Sequence, residues 1–142
     1  MKHFLVDTNV VIDFLTERSP FSLEAIKLFD LASKGKVKLY LAAVSYNNIY
    51  YIVRKFEGHS ATLKVLKLID QLTEVVDTSR SIISDSLNSG FKDFEDAMQY
   101  FSAQRIKRVD GIVTRNRPDF KLSELPILSP GEAISLTESA AR

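Results

Sequence analysis

The sequence predicts an α/β fold built as a single domain. Short apolar runs typical of buried strands, at residues 4–6, 37–42 and 111–114, are separated by longer segments with apolar residues at helical spacing. This alternation favours a parallel sheet of four to five strands that is covered by helices on both faces. With 142 residues, 45% of them hydrophobic, the chain is long enough for one compact core and short for two.

Turn and capping residues separate the predicted elements. Gly35 stands where a helix C-cap belongs, Gly58 ends one helix before the next begins, and Ser45 suits an N-cap. Pro130 fits the first turn of a final helix that we expect to fray over 137–142, which leaves a domain of residues 1–136. The other predicted elements are, in order, a strand ending at Val6, helices at 9–15 and 21–34, a strand at 37–42, helices at 45–56 and 60–72, a strand at 75–76, helices at 79–87 and 91–106, and strands at 111–114 and 127–128.

Composition excludes several classes of protein. The absence of cysteine removes disulfides, thiolate catalysis and cysteine-ligated zinc. Nineteen basic and 18 acidic residues nearly cancel, so no large field of one sign attracts a partner. The N-terminus lacks the long apolar core of a signal peptide, and no apolar run is long enough for a membrane span. We therefore expect a soluble, cytoplasmic protein that makes no membrane contact.

Asp7 ends the first predicted strand, where a helix begins. In an open α/β sheet, ligands bind beyond the carboxyl ends of the strands. We therefore expect Asp7 to lie where the active sites of such proteins are usually found. The alternative is that Asp7 only caps the following helix.

The densest acidic cluster is Asp93-Phe94-Glu95-Asp96, at the start of a predicted helix. Asp93 and Asp96 are three residues apart and so share a helix face, whereas Glu95 is expected to point elsewhere. Together with Asp7 they predict an oxygen-rich site for Mg²⁺ or Mn²⁺, where metal-activated water would hydrolyse a phosphodiester. The alternative is a helix N-cap at Asp93, because acidic residues are favoured in a first helical turn.

A further polar group follows the fourth predicted strand, at Thr114-Arg115-Asn116. If this strand neighbours the first, Asn116 lies beside Asp7 at the same crevice. A polar turn without catalytic function is the alternative, since Asn and Pro both favour turns.

These landmarks together resemble the PIN domain family of small metal-dependent ribonucleases, which includes the toxins of bacterial toxin-antitoxin pairs. The resemblance covers nearly the whole chain and implies a parallel sheet of order 3-2-1-4-5. It matches Asp7 to the first acidic ligand, Asp96 to the third, and Asn9 to a polar residue of the site. Its further motifs are Val113-Thr114-Arg115-Asn116, Asp119-Phe120 and Ser129-Pro130.

Two positions depart from the family pattern. A glutamate on the helix after the second strand is replaced by Asn48, and an aspartate after Thr-Arg is replaced by Asn116. An amide oxygen can still ligate a metal but brings no negative charge. Asp93, one turn before Asp96, is expected to supply the missing charge.

The resemblance implies a metal-dependent endoribonuclease, the toxin of a toxin-antitoxin pair, with RNA as substrate, an antitoxin as partner and a homodimer as assembly. Arg115 would then hold an RNA phosphate beside the metal, with Asn9 and Asn48 as further substrate contacts. The first alternative is a catalytically weakened PIN module that binds RNA or a partner protein. The second is a phosphatase with Asp7 as nucleophile, which is disfavoured because Asn9 stands where such enzymes have an aspartate.

Overall fold

The computed structural model describes residues 1–140 and forms one parallel sheet, as the sequence predicts. Its strands pair in the order β3-β2-β1-β4-β5, which confirms the order implied by the family resemblance. All four pairings are parallel. The strands are β1 (Lys2–Val6), β2 (Val37–Ala42), β3 (Glu74–Val76), β4 (Gly111–Val113) and β5 (Ile127–Leu128).

Helices flank this sheet and follow the predicted order along the chain. They are α1 (Thr8–Thr16), α2 (Ser22–Ser33), α3 (Ala43–Leu72), α4 (Arg80–Leu87), α5 (Phe94–Ala103) and α6 (Pro130–Ala140), with a short 3-10 helix at Arg117–Phe120. None of the helices within residues 1–140 is both long and apolar enough to cross a membrane.

The central strand is β1, which pairs with β2 on one side and β4 on the other. Its side chains alternate between the two faces of the sheet. Phe4 and Val6 therefore belong to one core cluster, and Leu5 belongs to the other. Burial on both faces explains why this strand is a continuous apolar run rather than an alternating one. Because β1 is central, the residue that follows it lies between the carboxyl ends of the neighbouring strands β2 and β4.

Several element boundaries differ from the prediction by one to three residues, and α5 also ends earlier than predicted, at Ala103. Helix α5 begins at Phe94 rather than at 91, because Asp93 has extended backbone angles and its Oδ1 accepts the Asp96 N–H at 2.9 Å. Ser45 does not cap α3, which begins at Ala43; its side chain is buried instead. Residues 137–140, where fraying was expected, continue α6, and Thr137 is buried. The predicted end of the tail, 141–142, lies outside the described residues.

Gly58 joins two helical segments within α3. Its backbone angles, φ 78° and ψ 171°, belong to a region that is open essentially to glycine alone. The chain therefore changes direction here, as the prediction of two helices separated by Gly58 requires.

Candidate active site

Asp7 follows the central strand directly and is 2% exposed. Its Oδ1 accepts a hydrogen bond from Gln99 Nε2 at 3.1 Å, and its Oδ2 accepts one from Thr114 Oγ1 at 2.8 Å. Gln99 lies on α5 and Thr114 follows β4. The side chain of Asp7 is therefore fixed by two neighbouring elements. Each carboxylate oxygen keeps a second lone pair, which remains able to bind a cation.

Burial raises the pKa of Asp7 above its ordinary value, and the hydrogen bonds from Thr114 and Gln99 oppose that rise. A carboxylate removed from water without a cationic partner is unfavourable. Asp7 occupies the N-cap position of α1. Its side chain makes no well-formed capping hydrogen bond, although the backbone N–H of Asn9 also opposes the rise in its pKa. Capping alone is therefore a weak reason for an aspartate here.

A cavity of about 290 Å³ opens at this end of the sheet. It receives side chains from the start of α1, from α3, from the start of α5 and from the 3-10 helix. None of its lining residues is basic, and five of them carry a carboxyl group. The lining consists of Asp7, Thr8, Asn9, Asn48, Ile52, Asp93, Glu95, Asp96 and Asp119.

The titration of Asp96 is also perturbed by its surroundings. Its pKa is raised from 3.8 to about 7, first by burial and then by the negative charges of Asp93, Asp7, Asp119 and Glu95. Carboxylates at such close quarters repel one another and favour a bound proton or a bound cation. The site is therefore electrostatically suited to a cation.

The donor set also fits a hard divalent metal, because it offers carboxylate and amide oxygens without sulfur or imidazole. No group of three potential ligands within residues 1–140 stands in a finished coordination geometry. Metal binding would therefore require at least one of these side chains to turn further into the cavity.

The seven residues predicted for the site fall into two groups. Five of them line the cavity: Asp7, Asn9, Asn48, Asp93 and Asp96. Asp93 caps α5 and also lines the cavity, so its two interpretations do not exclude each other. The other two, Asn116 and Arg115, lie outside the lining.

Asn116 does not line the cavity itself. Its Nδ2 donates to Asp119 Oδ2 at 2.7 Å, and its backbone N–H donates to Thr114 Oγ1 at 3.1 Å, the same hydroxyl that donates to Asp7. It therefore orients Asp119, which does line the cavity, and is linked to Asp7 through Thr114.

Arg115 does not line the cavity, whereas the sequence-based expectation put it beside the metal. Its Nε donates to Asp13 Oδ2 at 2.7 Å, and its guanidinium carbon lies 4.1 Å from the ring centroid of Phe21. Asp13 is buried, with 2% of its side chain exposed. This acid requires a cation, and Arg115 supplies it, so the guanidinium is already engaged in an ion pair.

We expect Arg115→Ala to destabilise the protein without weakening metal binding. The loss should be about 2 kcal/mol, because Asp13 would stay buried with only Arg18 Nε, at 3.9 Å, nearby. Urea unfolding measures this loss, with Arg117→Ala as the control, since Arg117 pairs with Glu132 at the surface and should contribute less than about 0.5 kcal/mol. An Arg115→Ala protein of normal stability and impaired RNA binding would restore the phosphate-binding role.

Sequence reasoning missed Glu95 and Asp119. Glu95 was expected to point away from Asp96, yet both side chains line the cavity. Its carboxylate reaches toward the first turn of α1 and the second turn of α3, where Thr8 and Asn48 donate to it. Asp119 belongs to the 3-10 helix. No periodicity in the sequence predicts that this helix returns toward the sheet. A signal for Asp119 did exist, since it lies three residues after Asn116, the spacing of a turn contact.

A family model described as PIN domain matches residues 3–118. This match spans β1 through the start of the 3-10 helix and so includes nearly all of the cavity lining. No curated protein matches the sequence significantly.

Solved structures with the same fold include three bacterial proteins. A toxin-antitoxin complex from Klebsiella pneumoniae has 22% sequence identity and a TM-score of 0.61, covering 89% of this chain and 96% of that chain. Mycobacterium tuberculosis VapC20, described as a sarcin-ricin loop cleaving toxin, has 15% identity and a TM-score of 0.66, covering 87% and 96%. DNA-bound VapBC from Salmonella typhimurium has 15% identity and a TM-score of 0.66, covering 92% and 99%. At these identities the likeness establishes the fold.

Proposed function

Because the chain belongs to the PIN domain family, we propose that it is an endoribonuclease that uses Mg²⁺ or Mn²⁺ to hydrolyse RNA phosphodiester bonds. The observation that carries this proposal is the cavity at the carboxyl end of the sheet. Asp7, Asp93 and Asp96 all line it, and no basic residue in the lining neutralises their charge. Hard divalent cations are bound by such oxygen ligands, and RNA phosphates complete their coordination.

The residues in and around the cavity would have separate roles. Asp7 and Asp96 would hold the metal, with Asp93 adding charge one turn away on α5. When bound, the metal would activate water and offset the charge that develops on the phosphate. Gln99 and Thr114 hold Asp7 in place, and Asn116 does the same for Asp119. Asn9 and Asn48 face the cavity and can donate hydrogen bonds to an RNA backbone.

We also propose that the protein is a toxin whose partner is an antitoxin and that it forms a homodimer in the cytoplasm, where its RNA substrate is found. The description of the Klebsiella and Salmonella structures as toxin-antitoxin or VapBC complexes supports the partner. The description of the mycobacterial protein as a toxin that cleaves the sarcin-ricin loop supports an RNA substrate.

A second candidate function is a catalytically weakened PIN module that binds RNA or a partner protein. The observation in its favour is that α3 presents the amide of Asn48 to the cavity rather than a carboxylate. A site with fewer charged ligands binds a divalent cation more weakly.

Metal depletion and restoration tests the two candidates. We expect EDTA-treated protein to leave a panel of single-stranded and stem-loop RNAs intact, including a sarcin-ricin stem-loop, and Mn²⁺ to restore cleavage. Calorimetry on the same samples should detect Mn²⁺ binding at micromolar to millimolar concentration. Binding of RNA without cleavage at any metal concentration would favour the weakened module, and the absence of any metal binding would refute the nuclease.

A further inference from the structure

Glu95 and Asn48 join α5 to α3 across the mouth of the cavity. Glu95 Oε2 accepts a hydrogen bond from Asn48 Nδ2, and Glu95 Oε1 accepts one from Thr8 Oγ1 at 2.8 Å. Thr8 Oγ1 also forms a hydrogen bond of 2.6 Å with the buried Ser45 Oγ. The carboxylate of Glu95 is thus held by side chains from two helices that begin at this end of the sheet, α1 and α3.

These hydrogen bonds do not require a negative charge at Glu95. A glutamine could accept from Thr8 through its oxygen, and its amide nitrogen could donate to Asn48 once the Asn48 amide turns its oxygen toward it. The charge has a cost here, because Glu95 shares its cavity with the carboxylates of Asp7 and Asp96, which repel it. Its presence therefore calls for a reason other than joining the two helices.

A bound cation provides that reason. Without Glu95, the α3 side of the cavity would be lined by Asn48 and Ile52, neither of which carries a charge. Because Glu95 is turned toward Asn48, it places a carboxylate on the α3 side of the cavity. Asp7 and Asp96 line the same cavity.

We propose that Glu95 is a metal ligand and that Asn48 is the positioning residue that holds its carboxylate on the α3 side of the site. This inference rests on the proposed function, because it assigns a further ligand to the same metal. The two helices then have different roles. Helix α5 supplies negative charge to two sides of the cavity, and α3 supplies only a hydrogen-bond donor.

The first test is Glu95→Gln, which keeps the size and the hydrogen-bonding capacity of the side chain and removes its charge. We expect the affinity for Mn²⁺, measured by calorimetry, to fall about tenfold or more. The thermal midpoint in EDTA should stay the same or rise, since a repelling charge is lost. Glu124→Gln, at an exposed position outside the cavity, is the matched control and should bind Mn²⁺ as the wild type does.

The second test moves the carboxylate from α5 to α3. In the double variant Asn48→Glu with Glu95→Gln, the acid and the amide exchange places across the same contact. We expect this variant to recover Mn²⁺ affinity to within roughly threefold of the wild type. A merely structural role for Glu95 would predict no loss in the single variant and hence nothing to recover.

The outcomes separate this inference from the proposed function. If Asp96→Asn loses Mn²⁺ while Glu95→Gln binds it as tightly as the wild type, Glu95 is not a ligand and the metal site stands without it. A folded double variant that regains no affinity likewise overturns the assignment. If the wild type itself binds no Mn²⁺, both the proposed function and this inference are refuted.

Discussion

Replacing Asp7 with asparagine is expected to abolish RNA cleavage while the protein remains folded. The new side chain fits the buried site, because its oxygen can accept from Gln99 and its amide can donate to Thr114 Oγ1, which is able to reverse its role. Only the charge is lost. We expect Mn²⁺ affinity to fall on the order of 100-fold, and cleavage to fall on the order of 1,000-fold.

Calorimetry with Mn²⁺ and initial rates on one RNA substrate measure these losses. Asp110→Asn is the matched control, because Asp110 contacts β1 at the opposite end, where its Oδ2 accepts the His3 N–H at 2.8 Å. That variant should cleave RNA as the wild type does. An Asp7→Asn protein that keeps both Mn²⁺ binding and cleavage would rule out Asp7 as a ligand.

The second large effect concerns Asp96, whose replacement by asparagine should prevent metal binding and yet stabilise the metal-free protein. In the folded protein its pKa is raised from 3.8 to about 7, so the folded state binds a proton more tightly than the unfolded state. The stability that this proton provides is fully present below about pH 4 and is lost as the pH rises through about 7. Near pH 8 the ionised carboxylate opposes folding.

Asp96→Asn removes that repulsion at every pH. In EDTA near pH 8 we expect the variant to be more stable than the wild type by about 1–2 kcal/mol, a value reduced for solvent screening because Asp96 is only partly buried. The difference should shrink toward zero at acidic pH, where Asp96 of the wild type is protonated. In saturating Mn²⁺ the ranking should reverse, because only the wild type gains stability from the bound metal.

Urea unfolding at acidic and alkaline pH, with EDTA or Mn²⁺, measures these differences. Asp77→Asn, at an exposed position before α4, is the control and should show neither effect. A metal-free Asp96→Asn protein that is less stable than the wild type near pH 8 would mean that the carboxylate supports the fold rather than opposing it.

The order of elements could be predicted from the sequence because each element leaves a local signal. Apolar runs give the strands, helical spacing gives the helices, and Gly35 and Gly58 mark their ends. Asp7 could be placed for the same reason, since a polar residue that ends a buried central strand must lie at the carboxyl edge of the sheet. The strand order itself came from the family resemblance, because periodicity does not specify which strands are neighbours.

Side-chain direction depended on the tertiary structure. The sequence placed Glu95 on the wrong face because helical spacing describes a straight, isolated helix, whereas a long side chain in a first turn can reach partners on neighbouring helices, as Glu95 does with Asn48. The ion pair of Arg115 with the buried Asp13, 102 residues away, could not be predicted, because the local motif carries no signal of it. Local periodicity therefore determined the elements and one edge of the site. Long-range packing and charge pairing decided which side chains lie in the cavity, because both depend on residues that are distant in the chain.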